Sequence, residues 1–176
     1  GLANFAELFT DPVFLTSMGN ILKLLIFTLA VNLTIPLFVA EMIFLIRSER
    51  LNYAMRVLFV IPMLIPPIVI WSIWRFIYSD AGFLTTFLEW VGKSEWIYGW
   101  LSHPKTALLA VAFVGFPFAH GFNILIYYTG LTNIPKAVLE SAQMDGAPPW
   151  TLFYKIHLPL LLSQVKLLLV VTMITV

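Results

Sequence analysis

The 176-residue chain is 60% hydrophobic, with a mean hydropathy of +0.92, against roughly 45–50% apolar content in soluble domains. Ten Lys and Arg residues against nine Asp and Glu leave a net charge of +1, so nothing in the charge balance indicates a footprint for nucleic acid, and no nucleic-acid partner is expected. The absence of cysteine excludes disulfides and thiolate metal sites. The composition predicts a protein of the lipid bilayer.

Four stretches reach the length of about 20 predominantly apolar residues that a membrane span requires. They are predicted at residues 21–46, 57–78, 106–129 and from 159 to the end of the chain. Proline or glycine falls inside the first three, at Pro36, at Pro62, Pro66 and Pro67, and at Gly115, Pro117 and Gly121. The second span, with its backbone ladder broken, should be buried among other helices. The start of the chain is a short half-polar segment without a signal-peptide pattern.

Loop charges predict the orientation, since cytoplasmic loops are enriched in Lys and Arg. Residues 47–56 form a loop with three arginines and should be cytoplasmic, whereas residues 1–20 and 79–105 should lie outside. Alternation then returns residues 130–158 to the cytoplasm. A short helix is also expected outside, near Leu84 to Val91.

The polar interruption before the fourth span predicts two short helices, at residues 133–144 and 148–158, neither long enough to cross a membrane. Asn133 can cap the first helix, and Gly146 can take the left-handed conformation that ends it. Pro148 and Pro149 fit only the first turn of the second helix. That helix would carry an aromatic stripe on one face, formed by Trp150, Phe153, Tyr154 and His157.

This interruption resembles the EAA motif of permease subunits in binding-protein-dependent ABC importers. The resemblance is carried by Glu140-Ser141-Ala142, Asp145-Gly146-Ala147 and Ile156-His157-Leu158-Pro159, with Gly130-Leu131 and Ile134-Pro135 upstream. WLSHPKTALLAVAF, IPPIVIWSIWRFIYSDAGFL and GLANFAELF resemble the sugar-permease branch. Ser141 stands where the family usually has alanine. Pro148-Pro149 replaces the usual Ser-containing start of the second helix, which removes the expected cap but not the turn.

The resemblance implies an all-α, polytopic transmembrane helical bundle of the MetI-like permease fold. Six spans are usual in that family, so we expect a fragment that lacks the first and last. Residues 1–176 would form one partial permease domain, with residues 130–158 as its cytoplasmic EAA coupling loop. The implied location is a bacterial or archaeal cytoplasmic (inner) membrane, crossed several times.

The implied function is import of a carbohydrate along a path formed with a second permease subunit. A cytoplasmic ABC ATPase dimer would drive it, and an extracytoplasmic solute-binding protein would deliver the substrate. The sequence contains no G-x-x-x-x-G-K-[ST] loop. ATP and magnesium are therefore expected in the partner ATPase, with no cofactor bound by this chain and no catalysis of its own.

The resemblance assigns ATPase coupling to five residues. Glu140 would be the charged contact, Ser141 and Ala142 would allow close approach, and Asp145-Gly146 would set the angle between the two short helices. The alternative for Glu140 is a solvated acid paired with Lys136 one turn earlier, a surface pair of about 0.3–0.5 kcal/mol.

The substrate path is expected in the third span, where Phe116, His120, Asn123 and Tyr127 recur at helical spacing on one face. Sugars take hydrogen bonds and ring stacking, and polar residues inside membranes usually face a bundle interior or a cavity. The alternative is that His120 and Asn123 bond a neighbouring helix. Glu41 and Arg75, near span ends, are expected to snorkel or cap, and Asn32 to hold helices together.

Three other classes compete with this interpretation. An ion-coupled secondary transporter would need acids inside the membrane, and only Glu41 comes close. A membrane enzyme would need clustered catalytic groups. The three histidines are instead predicted in three different places: His103 outside the cell, His120 within the membrane and His157 on the cytoplasmic side. A non-transporting structural subunit of a membrane assembly fits the composition but leaves the EAA spacing unexplained.

Overall fold

A computed structural model of the chain describes residues 2–97, 99–116 and 121–175. No strand occurs in those ranges, and the predicted all-α class is confirmed. The helices, in chain order, are α1 (Ala3–Thr10), α2 (Pro12–Phe44), α3 (Glu49–Val60), α4 (Pro67–Ile77), α5 (Phe83–Trp90), α6 (Ala107–Ala112), α7 (Gly121–Thr132), α8 (Lys136–Met144), α9 (Pro149–Leu152), α10 (Leu158–Leu160) and α11 (Leu162–Thr175). Short 3-10 turns follow α3 at Ile61–Leu64 and α5 at Ser94–Trp96, and a π-helical turn, Phe153–His157, joins α9 to α10.

The chain divides into two compact units. One consists of residues 1–28 and 65–116, and the other of residues 29–64 and 117–175. The second unit contains the hydrophobic core, which α2, α7 and α11 supply together with the residues next to them. The buried core residues are Leu37, Ala40, Ile43, Ile124, Tyr127, Leu131, Ile134, Leu161 and Leu168.

The first predicted span corresponds to α2, which is 33 residues long. It begins at Pro12 rather than at residue 21 because the Asp11 carboxylate caps it, accepting a hydrogen bond of 2.8 Å from the Val13 amide. In the described ranges, α2 is the one helix that is long and apolar enough to cross a membrane by itself. At 1.5 Å per residue it measures about 50 Å, more than a hydrocarbon core of about 30 Å requires.

The second predicted span is interrupted at its prolines, as predicted. Residues Glu49–Leu64 and Pro67–Ile77 meet the length and hydropathy of a span only when taken as a pair. One expectation was wrong. Residues 49–56 are helical and not a loop, because Ser48 caps α3 by accepting a hydrogen bond from the Leu51 amide. The described residues of this chain bury no residue of α4, and its burial among other helices stays a prediction for the full-length protein.

The third predicted span is not one continuous helix. α6 ends at Ala112, and Gly115 has a φ of 83°, a left-handed conformation that turns the chain away from a helical path. Pro117 and His120 lie outside the described residues. α7 then starts at Gly121. The predicted short helix after the second span is present, because α5 covers Phe83–Trp90 against the expected 84–91. Its location outside the membrane stays a prediction.

The two short helices of the interruption are present with altered bounds. α8 starts at Lys136 and not at Asn133, because Pro135 is extended (φ −58°, ψ 131°) and the Asn133 amide still closes the end of α7 on the Thr129 carbonyl. The second short helix does not stop at residue 158. Pro149–Leu160 and Leu162–Thr175 form a pair bent by 64° at Leu161, and together they meet the requirements of a span.

Candidate functional site

The turn after α8 has the geometry predicted for Gly146. Its φ is 70°, its amide donates to the Gln143 carbonyl, and the Ala147 amide donates to the Ala142 carbonyl, both at 3.0 Å. These two bonds are the 5→2 and 6→1 pairs of a Schellman motif, which requires a left-handed residue in the place that Gly146 occupies. A glycine there closes α8 without steric cost.

α8 presents part of the predicted coupling set to solvent. Glu140, Ser141 and Asp145 are exposed, whereas Ala142 is buried in the chain itself, so its small side chain serves internal packing. In the described part of the protein, no ion pair joins Glu140 to Lys136. Among the described residues, the Glu140 carboxylate therefore forms no ion pair. Two large apolar side chains are exposed close to it in sequence, Met144 at 88% and Trp150 at 68%.

The predicted aromatic stripe of the second helix divides between two faces. Trp150 and Tyr154 are exposed, whereas Phe153 stacks on Phe38 of α2, with ring centroids 5.6 Å apart. His157 meets the ring of Phe44 edge-on at 5.7 Å. Residues four apart share a helical face. Trp150 and Tyr154 therefore face outward together, whereas Phe153 and His157 hold this segment against α2.

Glu41 does not snorkel or cap, because its side chain points into the protein. It is 8% exposed, and its Oε1 lies 2.8 Å from Nδ1 of His157, which is 2% exposed. Glu41 Oε2 and His157 Nε2 are also buried, and neither has a hydrogen-bond partner in the described residues. Sequence reasoning missed this pair. The available signal was an acid within the first apolar stretch, Glu41, which favours a buried partner, but His157 lies in the polar interruption and nothing in the sequence links positions 116 residues apart.

Two of the predicted substrate-path residues contact α2. Asn123 Nδ2 donates to the Asn32 carbonyl and the Tyr127 hydroxyl donates to the Leu33 carbonyl, each at 3.2 Å. Both side chains are buried, Tyr127 completely. These contacts match the helix-bonding alternative for Asn123. Asn32 takes part only through its backbone carbonyl, and its side-chain oxygen is buried without a partner in the described residues, so the expected role of its side chain in holding helices together is not seen.

The remaining residues of that stripe are not brought to the same place. Phe116 lies in the other unit, where its ring meets Phe113 edge-on at 5.6 Å. His120 lies outside the described residues. Arg75 is found in the last turn of α4, where a cation complements the negative end of the helix dipole.

In the described residues, one helix of span length, two bent helix pairs that reach that length only together and an elbow after α8 are the features of a membrane-embedded helical protein. Residues 32–176 match the family of binding-protein-dependent transport system inner membrane components. The chain belongs to this family.

The curated relatives are also permease proteins. A probable ABC transporter permease protein of Pyrococcus horikoshii is 30% identical over 160 residues, which cover 90% of this chain and 54% of the relative. The sn-glycerol-3-phosphate transport system permease protein UgpA of Shigella flexneri is 31% identical over 179 residues, covering 99% of this chain and 58% of the relative. The chain thus spans little more than half the length of these proteins.

Solved structures agree on the fold. A bacterial ABC transporter involved in the import of the acidic polysaccharide alginate aligns with a TM-score of 0.88 at 25% identity, covering 98% of this chain and 60% of that one. The same transporter has been crystallised in complex with its alginate pentasaccharide-bound periplasmic protein, again with a TM-score of 0.88. The predicted MetI-like permease fold is therefore confirmed.

Proposed function

We propose that the full-length protein is a permease subunit of an ATP-binding cassette importer and that α8 is its docking helix for the ATPase. The observation that carries the proposal is the elbow at Gly146. Because the elbow fixes the direction of α8 relative to the segment that follows, a force on α8 reaches the helices instead of being absorbed by a flexible loop. Exposed Glu140, with no ion pair in the described protein, is available for a charged contact.

The remaining partners follow from the relatives. A periplasmic protein binds the alginate transporter, which supports an extracytoplasmic solute-binding protein for this importer. The translocation path would be shared with a second permease subunit. ATP and magnesium would be held by the ATPase dimer, and this chain would contribute coupling without catalysis in a bacterial or archaeal inner membrane.

The substrate we propose is a carbohydrate or a related polyol. The relatives named above carry sn-glycerol 3-phosphate in one case and alginate in the other. Both are polyhydroxylated and anionic, so acidic members of this class are the first candidates to assay. The Nδ2 of Asn123 and the hydroxyl of Tyr127 donate to the α2 backbone, and we assign these two residues to helix packing instead of substrate contact.

Removal of the Glu140 carboxylate tests the coupling proposal. In the full-length protein, Glu140→Ala should insert normally, because an exposed acid contributes little to folding. The variant should recover less ATPase when the permease is purified from membranes. Glu49→Ala is the matched control, since Glu49 is an exposed acid at the start of α3 and in the other predicted cytoplasmic segment. If both variants recovered as much ATPase as the wild type, Glu140 would be an ordinary solvated acid.

A further inference from the structure

The bond between Glu41 and His157 connects the helical segment after the elbow to the long helix α2. His157 ends the π-helical turn of the Pro149–Leu160 segment, directly after the elbow. α2 ends at Phe44, and Glu41 lies about one turn before that end. The segment is therefore fastened to the end of the first long helix by a polar contact buried in the second unit.

Aromatic contacts flank the Glu41–His157 bond and favour one orientation of the segment against α2. Phe38 and Phe44 on α2 meet Phe153 and His157, so an aromatic contact lies on either side of Glu41 along α2. The Leu158 amide donates to the Phe153 carbonyl and closes the π-helical turn. Such turns are rare and frequently occur at functional sites.

Stability alone does not explain a buried pair of this kind. A buried ionisable pair is weak evidence for stability, because well-packed apolar residues of similar volume often serve as well or better. Here Glu41 Oε2 and His157 Nε2 have no partner in the described residues, and a partly satisfied buried network is less favourable than a complete one. The single bond that is made does, however, fix the position of one helix against the other.

We propose that Glu41 and His157 are positioning residues for coupling, and that their bond makes the Pro149–Leu160 segment move together with α2. The proposal rests on the coupling function assigned above. Without the bond, a displacement of α8 would be absorbed at the 64° bend at Leu161. With it, the displacement reaches the long helix.

The test measures whether the segment and α2 move as one body. Spin labels are attached to cysteines that replace Thr34 on α2 and Lys155 in the π-helical turn, both exposed, in the full-length permease assembled with its ATPase. The distance between the labels is measured without nucleotide and after trapping with MgATP and vanadate. Helix shifts in such transitions are about 1–2 Å. While the bond holds, the two labels should keep their separation on trapping, and loss of the bond should let the distance change by at least such a shift.

Four variants and a control make the outcome decisive. Glu41→Leu and His157→Leu, which each remove the polar atoms of one partner, should change the distance on trapping, whereas the wild type and the control, Glu49→Leu, should not. The exchange of Glu41→His with His157→Glu should restore the wild-type result, and the apolar pair Glu41→Met with His157→Phe should not.

The proposal is overturned if the wild-type distance changes as much as that of the single variants, or if neither single variant differs from the wild type. Restoration by the apolar pair would also overturn it, because packing would then suffice. If the single variants fail to accumulate, the two double variants decide between these outcomes. Failure of the function proposed above is distinguishable, since the wild-type permease would then recover no ATPase.

Discussion

Gly146 and Gly92 provide a controlled comparison at the scale of single residues. Both have left-handed backbones, with φ of 70° and 74°, and no described atom lies within 4 Å of the Cβ that a side chain would add. A substitution at either position therefore introduces backbone strain and no clash. The strain is about 1–2 kcal/mol for an L-residue in this conformation. The two glycines differ in place, since Gly146 forms the elbow and Gly92 follows α5, the helix predicted to lie outside.

Gly146→Val should leave the amount of permease in the membrane close to normal but reduce substrate uptake and its coupling to ATP hydrolysis. Relief of the strain would change the angle between α8 and the segment that follows, so α8 would no longer point in the direction that docking requires. Gly146→Ala should have a milder effect, since valine is β-branched. Uptake, measured together with ATPase activity in the reconstituted importer, checks this expectation. Gly92→Val carries the same strain and should preserve coupling; equal losses in both valine variants would contradict the elbow model.

At the scale of elements, the packing of α7 depends on a glycine at its start and on polar contacts to α2. A Cβ on Gly121 would lie 2.5 Å from the Phe59 carbonyl oxygen of α3, which is backbone and cannot rotate away. A Cβ on Gly130 would meet the Leu161 and Gln164 side chains at 2.5 and 2.9 Å. Side chains can change rotamer, so the two positions should differ in tolerance.

Gly121→Ala should destabilise the protein more than Gly130→Ala, by about 1–3 kcal/mol for a core that cannot rearrange. The thermal midpoint of the purified full-length permease in detergent measures the difference. An equal shift for the two alanine variants would mean that α3 can move away from α7 without cost.

Tyr127→Phe removes only the hydroxyl that donates to the Leu33 carbonyl. We expect a loss of about 0.5–1.5 kcal/mol in stability, as for one net hydrogen bond, together with a reduced amount of assembled importer. Asn123→Ala should act in the same way. Phe122→Ala is the control, since this neighbouring side chain is half-exposed. Altered substrate selectivity with undiminished assembly would instead support the substrate-path hypothesis.

The sequence predicts those elements whose cause is local. The left-handed turn at Gly146, the interruption at Pro62, Pro66 and Pro67, and the short helix α5 each follow from residue types within one or two turns. Element ends were less accurate, since side-chain caps at Asp11 and Ser48 lengthened α2 and α3. The Glu41–His157 pair and the two bonds from α7 to α2 depend on which helices become neighbours, and hydrophobic periodicity does not contain that information.

At the scale of the whole molecule, α8 can meet a cytoplasmic ATPase only if residues 130–158 lie on the cytoplasmic side of the membrane. Three arginines predict that residues 47–56 are cytoplasmic, and alternation gives residues 130–158 the same side. Cysteines replacing Ser48 and Thr132 in the full-length protein should be protected from a membrane-impermeant thiol reagent in intact cells. A cysteine replacing Glu95 should react. Labelling at both of the first two positions would reverse the orientation and remove α8 from reach of a cytoplasmic ATPase.

Site-specific photo-crosslinking from α8 tests the central claim most directly. Met144 is 88% exposed at the end of this helix, and Trp90 is 82% exposed at the end of α5, predicted to lie outside. A photoreactive residue at position 144 of the full-length permease should form a covalent adduct with the ATPase subunit in native membranes, and one at position 90 should not. Absence of the adduct at position 144, while the ATPase remains associated with the permease, would show that it docks elsewhere and contradict the account.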